Sequence, residues 1–95
     1  MKKHTRIYLT AMGYDESDWI CCEVYGCEAK AVDIHHIEAR GMGGTKRTET
    51  IEDVMALCRH HHEKFGDITE FKGFLKCCHE TRMKERNVNY KPELL

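Results

Sequence analysis

Residues 22–62 read CEVYGCEAKAVDIHHIEARGMGGTKRTETIEDVMALCRHHH, and this stretch decides the fold. It carries Cys22, Cys27, His35, His36, Cys58, His60, His61 and His62, eight of the chain's thirteen cysteines and histidines, in less than half its length. Two chemical patterns interleave. Cys22-x4-Cys27 and Cys58-x2-His61 are two short clusters of the kind that build a four-ligand structural zinc site. The His35-His36 doublet and the distant His62 suggest a second site, catalytic and metal-dependent. The first site would hold the fold together so that the second can act.

Zinc takes four tetrahedral nitrogen or sulfur ligands, and two tight turns deliver them with little strain. Cys22 and Cys27 supply one pair. Cys58 and His61 supply the other across a helix start, where residues i and i+3 share a face. Tyr25 stands where a tighter knuckle would place its second cysteine. Cys21 is an alternative to Cys22, and His60 to His61. Cys77 and Cys78 have no matching pair and read as buried small hydrophobes.

Working outward, 95 residues make one domain, residues 1–95. A core of that size is marginal, and small scaffolds often need a metal or disulfide staple. Hydrophobic residues at 41% and charged residues at 33% argue against disorder. The six cysteines would suggest disulfides only in a secreted chain. The segment Ile7–Met12 is too short and polar for a signal h-region, and no run approaches a membrane span. The expectation is a reduced, cytoplasmic protein with no membrane partner and with cysteines serving as ligands or buried thiols.

Net charge is −1, so bulk charge does not announce nucleic-acid binding. Distribution matters more. Asp15, Glu16, Asp18, Glu23 and Glu28 cluster early. Arg82, Lys84 and Arg86 read as solvated surface. Arg40, Lys46 and Arg47 lie in a glycine-rich loop beside the histidines and are candidates for phosphate contact.

The local patterns predict an α+β fold: a small antiparallel β-hairpin packed on a helix, with flanking helices and a zinc knuckle. Residues 1–20 hold an N-terminal helix and turn, with Ile7, Tyr8, Ala11 and Met12 on one face and Gly13 as the stop. Trp19-Ile20 is an apolar pair expected in the core. Residues 21–66 form the zinc-bound centre. Within it Lys30–Ile37 reads as a strand, 38–52 as a long loop and Val54–Leu57 as a second strand. A helix runs from near Arg59 to Gly66. Residues 67–87 read as an amphipathic helix opened by an Asp67/Glu70 capping box, with Ile68, Phe71, Phe74/Leu75, Cys78 and Met83 on its apolar stripe. Residues 88–95 are a tail.

Neighbouring side chains on a strand point to opposite faces, so His35 and His36 are expected to do different jobs. A hairpin packed on the following helix brings His35 and His62 to one metal, with His36 free as a base near its neutral pKa.

At these residues the chain resembles the HNH endonuclease family, particularly its small phage and prophage members. The similarity lies in Cys22–Val24, in Val32-Asp33-Ile34-His35-His36-Ile37 running on to Gly44, and in Ile51–His62. It covers about half the chain. The resemblance implies a ββα-metal fold and metal-dependent hydrolysis of DNA phosphodiester bonds. It implies His35 and His62 as ligands of a catalytic divalent metal (Mg²⁺, Mn²⁺, Ni²⁺ or Zn²⁺) and His36 as general base. It further implies DNA as the partner, met alone, as a homodimer or within a larger phage or restriction complex. Asp53 stands where the family usually has asparagine. Aspartate keeps an acceptor oxygen and loses the amide donor, so it either braces the loop or ligates metal. The alternative function is a non-catalytic, zinc-stabilised nucleic-acid-binding module.

Overall fold

A computed structural model describes residues 2–37, 50–66 and 68–88. The elements run α1 (Lys3–Met12), β1 (Asp33–His36), β2 (Val54–Leu57), α2 (Arg59–Phe65) and α3 (Lys72–Glu85). Short 3₁₀ turns at Ile51–Asp53 and Thr69–Phe71 precede β2 and α3. This is a small α+β fold with a two-stranded antiparallel sheet and three helices.

The sheet pairs Asp33 with Leu57, Ile34 with Ala56, His35 with Met55 and His36 with Val54. Pleating sends alternate pairs to opposite faces. One face carries Asp33, His35, Met55 and Leu57. Met55 and Leu57 pack there with Cys22, Val24, Ile37, Cys58, Leu75 and Cys78. The other face carries Ile34, His36, Val54 and Ala56, and three of these pack with Tyr8, Met12 and Met83. Two separate cores therefore clamp one small sheet, α2 and the knuckle on one side and α1 on the other. A strand buried on both faces reads as a continuous apolar run. All four residues of β2 are buried, which is why VMAL shows no alternation.

Helix α1 ends as expected at Gly13, whose φ of 79° is left-handed. The amides of Gly13 and Tyr14 both donate to the Leu9 carbonyl, which satisfies the end of the helix where only glycine is unstrained. Its buried residues are Tyr8, Leu9 and Met12, so Leu9 takes the inward place expected of Ala11. The Asp15–Asp18 turn is closed by the Asp18 amide on the Asp15 carbonyl and the Asp15 amide on the Asp18 carboxylate.

Several expectations are corrected. Trp19 is 63% exposed, not core, with the Lys30 ammonium 5.5 Å from its ring centre. Strand β1 spans only Asp33–His36 rather than Lys30–Ile37, and Val32 is 58% exposed. Cys77 is exposed, whereas Cys78 is buried as expected. Arg82 and Arg86 are not merely solvated. Arg82 donates to the carbonyls of Cys21 and Cys22, and Arg86 donates to that of Met12 while lying 3.9 Å from the Tyr14 ring centre. Both guanidiniums thereby lash α3 to the knuckle and to α1. Helix α3 has Phe71 at its cap position with no side-chain bond. Asp67, Arg40, Lys46, Arg47 and the tail from residue 89 lie outside the described residues. No described helix is long and apolar enough to cross a membrane.

Candidate metal centre

The knuckle turn forms because the Cys27 amide donates to the Val24 carbonyl, with Gly26 left-handed at φ 75° between them. The Cys22 amide reaches Ala29 and the Ala31 amide reaches Ile20, closing the turn into a small loop. Its two thiols meet α2 end-on. Cys58 caps α2, its sulfur accepting the His61 amide at 3.5 Å. The ligand atoms of Cys22, Cys27, Cys58 and His61 all lie within 4.8 Å of one another. Cys21 and His60, the alternatives in the sequence, are not members of this cluster.

The separations fit one ion. Zinc–sulfur bonds of about 2.3 Å and zinc–nitrogen bonds of about 2.0–2.1 Å put tetrahedral corners about 3.8 Å apart for two sulfurs and about 3.5 Å for sulfur and nitrogen. Cys27 and Cys58 sulfurs are 4.0 Å apart. The His61 Nδ1 lies 3.5 Å from the Cys22 sulfur and 3.3 Å from that of Cys58. This Cys₃His cluster can hold a metal ion such as zinc. Its protonation chemistry is graded. Burial pushes the Cys22 thiol up to about 12. Burial also resists ionisation of Cys58, but the His61 amide and the Cys22 and Cys27 thiols outweigh it and lower its pKa. Burial, His60 and Lys64 lower the pKa of His61, which favours the neutral imidazole that a metal needs. Ligands must shed protons to bind, so affinity rises with pH.

The second group of histidines sits where β1 crosses α2. His35 and His62 rings are 5.0 Å apart, edge to face. An imidazole centre lies about 3.2 Å from a metal bound through its nitrogen, so two imidazoles at roughly 90–110° on one ion have centres about 4.5–5.2 Å apart. The ring separation falls within that range. The sheet register puts His36 on the other face, where its ring meets that of His4 from α1 at 4.6 Å. Burial, His36 and Lys2 lower the pKa of His4. Asp53 ends the 3₁₀ turn before β2, and its carbonyl accepts the Ile37 amide at 2.8 Å. That backbone bond ties together the two ends of the loop that the sequence places between the strands.

Comparison with known protein families, with curated proteins and with solved structures finds no match.

Reading the sequence missed one group. Glu23, one of the acids that cluster early in the chain, is 2% exposed. Its carboxylate accepts the Tyr8 hydroxyl, the Ala56 amide at 3.0 Å and His79 Nδ1 at 2.6 Å. His79, 1% exposed, also bonds the Ile51 carbonyl through Nε2. Burial lowers its pKa, but the Glu23 carboxylate and the Ile51 carbonyl more than reverse this and raise it. Burial, followed by the charge and hydrogen bond of Glu23, raises the Tyr8 pKa and keeps its phenol protonated. The signal was available: His79 follows Leu75 by four residues and precedes Met83 by four, on the apolar stripe.

Proposed function

We propose that this protein is a metal-dependent DNA endonuclease of the HNH type, with a ββα-metal arrangement of β1, β2 and α2. The observation that carries the reading is the His35–His62 pair, set 5.0 Å apart across the strand–helix crossing and braced by the Cys₃His cluster one step along α2. Cys22, Cys27, Cys58 and His61 hold structural zinc. His35 and His62 would hold a divalent cation, which would supply neutralisation of the charge that develops during phosphodiester cleavage.

His36 takes a proton from water, and the oxygen attacks phosphorus in line, breaking the bond to the 3′ oxygen. His35 and His36 end β1 on opposite faces of the sheet, so this mechanism requires a phosphate seated over the strand end, where both rings can reach it. This lets His35 act from one side and His36 from the other. Packing against His4 limits where the His36 ring can swing. Arg40, Lys46 and Arg47 contact the DNA backbone, which positions the duplex without reading its sequence. Asp53 braces the loop.

The test is plasmid nicking by the zinc-loaded protein with added Mg²⁺, Mn²⁺ or Ni²⁺. Nicked circles that vanish in His35→Ala and His62→Ala support the reading. A second reading, a zinc-stabilised nucleic-acid-binding module without chemistry, is favoured by aspartate at position 53. It gives a gel shift with every metal and nicking with none.

A further inference from the structure

Asp33 opens β1 two residues before His35, so both side chains leave the strand toward α2. Its Oδ1 accepts the Ile34 amide at 2.9 Å, which anchors the carboxylate. Its Oδ2 lies 3.8 Å from the Nε2 of His62, with both side chains partly open to solvent. Nothing in the mechanism above uses this carboxylate.

We propose that Asp33 is a positioning residue for His62. Its carboxylate accepts the His62 Nε2–H, fixes the ring and its tautomer, and leaves the Nδ1 lone pair for the divalent cation. The inference rests on the two-histidine site proposed above. A histidine that binds metal through one nitrogen nearly always donates the other N–H to an oxygen, which orients the ring and raises its basicity. The 3.8 Å separation is about 1 Å beyond an N–H···O bond. Such contacts are often long before the productive complex forms and close within it. Direct ligation fits less well. Among the described residues, the Cys₃His cluster alone brings three or more potential ligands within 4.8 Å of one another, and Asp33, His35 and His62 do not meet that spacing.

Calorimetric titration of Mn²⁺ into the zinc-loaded full chain tests this, together with nitrogen NMR of the His62 tautomer before Mn²⁺ is added. Asp33→Ala should weaken Mn²⁺ binding about 10- to 100-fold. It should also reduce the Nε2–H tautomer, with zinc content and far-ultraviolet dichroism unchanged. Asp33→Asn keeps an acceptor oxygen and should hold the tautomer with an intermediate affinity; it decides the matter alone if the alanine variant unfolds. Wild-type affinity and tautomer in both variants would overturn the proposal. So would loss of Mn²⁺ binding with the tautomer unmoved, which is the behaviour of a direct ligand. If His62→Ala binds Mn²⁺ like the wild type, the two-histidine site itself is wrong and Asp33 falls with it. If His62→Ala loses Mn²⁺ while Asp33→Ala keeps it, only the role of Asp33 fails.

Discussion

Replacing Glu23 with alanine removes the acceptor from three buried donors at once: the Tyr8 hydroxyl, the Ala56 amide and His79. The pair it breaks is buried, with side-chain exposures of 0% for Glu23 and 1% for His79. Removing one partner of such a pair costs about 3–5 kcal/mol, because the other is left buried without its counter-charge. Domains have only about 5–15 kcal/mol in total. For a chain of this size each 1 kcal/mol moves Tm by about 4–8 °C, so the lower bound alone is a fall of about 12 °C. Thermal melts of the zinc-loaded protein at fixed free zinc measure it. Glu23→Gln is the informative companion. The introduced amide oxygen still serves Tyr8 and Ala56, and its NH₂ can donate to a neutral His79 whose Nε2–H serves Ile51. It should cost much less than Glu23→Ala.

The same pair sets a pH dependence. The folded pKa of His79 is raised, so its contribution is fully present below the unfolded value of about 6.5 and is lost as pH rises through the folded value. The folded values of His4 and His61 are lowered, and their contributions are lost as pH falls through that range instead. Subtracting the Glu23→Gln profile from the wild type isolates the His79 component, which should decline above about pH 6.5. A Glu23→Ala protein that melts within about 4 °C of wild type, or a difference profile that rises with pH, would refute this account of the buried pair.

Three further outcomes are expected. Cys58→Ser should release zinc and abolish cooperative unfolding, since structural zinc binding is worth on the order of 10 kcal/mol in small domains; retained zinc by metal analysis and an unchanged melt would remove Cys58 from the ligand set. His36→Ala should lower nicking about 100- to 10,000-fold while zinc content and DNA affinity hold; equal losses of binding and cleavage would mark a structural histidine. Asp53→Asn should leave nicking unchanged or raise it if Asp53 braces the loop, and a clear increase in the metal concentration required would show that it is a ligand.

What was legible in the sequence was local. Gly13 stops α1 because its left-handed φ suits no other residue as well. The Cys58-x2-His61 spacing met the knuckle because one helical turn fixes it. What was illegible depended on contacts distant in sequence. Glu23 looks like a surface acid until His79, 56 residues away, and Tyr8 converge on it. Trp19 looks like core, yet it stands exposed with the Lys30 ammonium over its ring. Arg82 looks solvated until the carbonyls of Cys21 and Cys22 come within its reach. Hydropathy ranks a residue by its own chemistry, whereas these three were placed by partners.

The zinc cluster and the proposed catalytic pair are mechanically one object. Strand β2 ends at Leu57 and Cys58 follows at once as the cap of α2. The Cys58 carbonyl accepts the His62 amide at 2.9 Å, closing the first turn of the helix. A metal on Cys58 and His61 therefore fixes both ends of a turn that also contains His62. One residue advances about 100° around a helix, so His62 points away from the zinc ligands and toward β1. There it meets His35, whose own position is set by pairing with Met55. Helix α2 is only seven residues long, below the length at which an isolated helix is stable. Without the cluster, the turn that aims His62 has little else to hold it. Loss of zinc should thus disperse the His35–His62 pair and loosen α3 with it, since Arg82 of α3 bonds the Cys21 and Cys22 carbonyls and Glu23, the partner of His79 on α3, follows Cys22 directly.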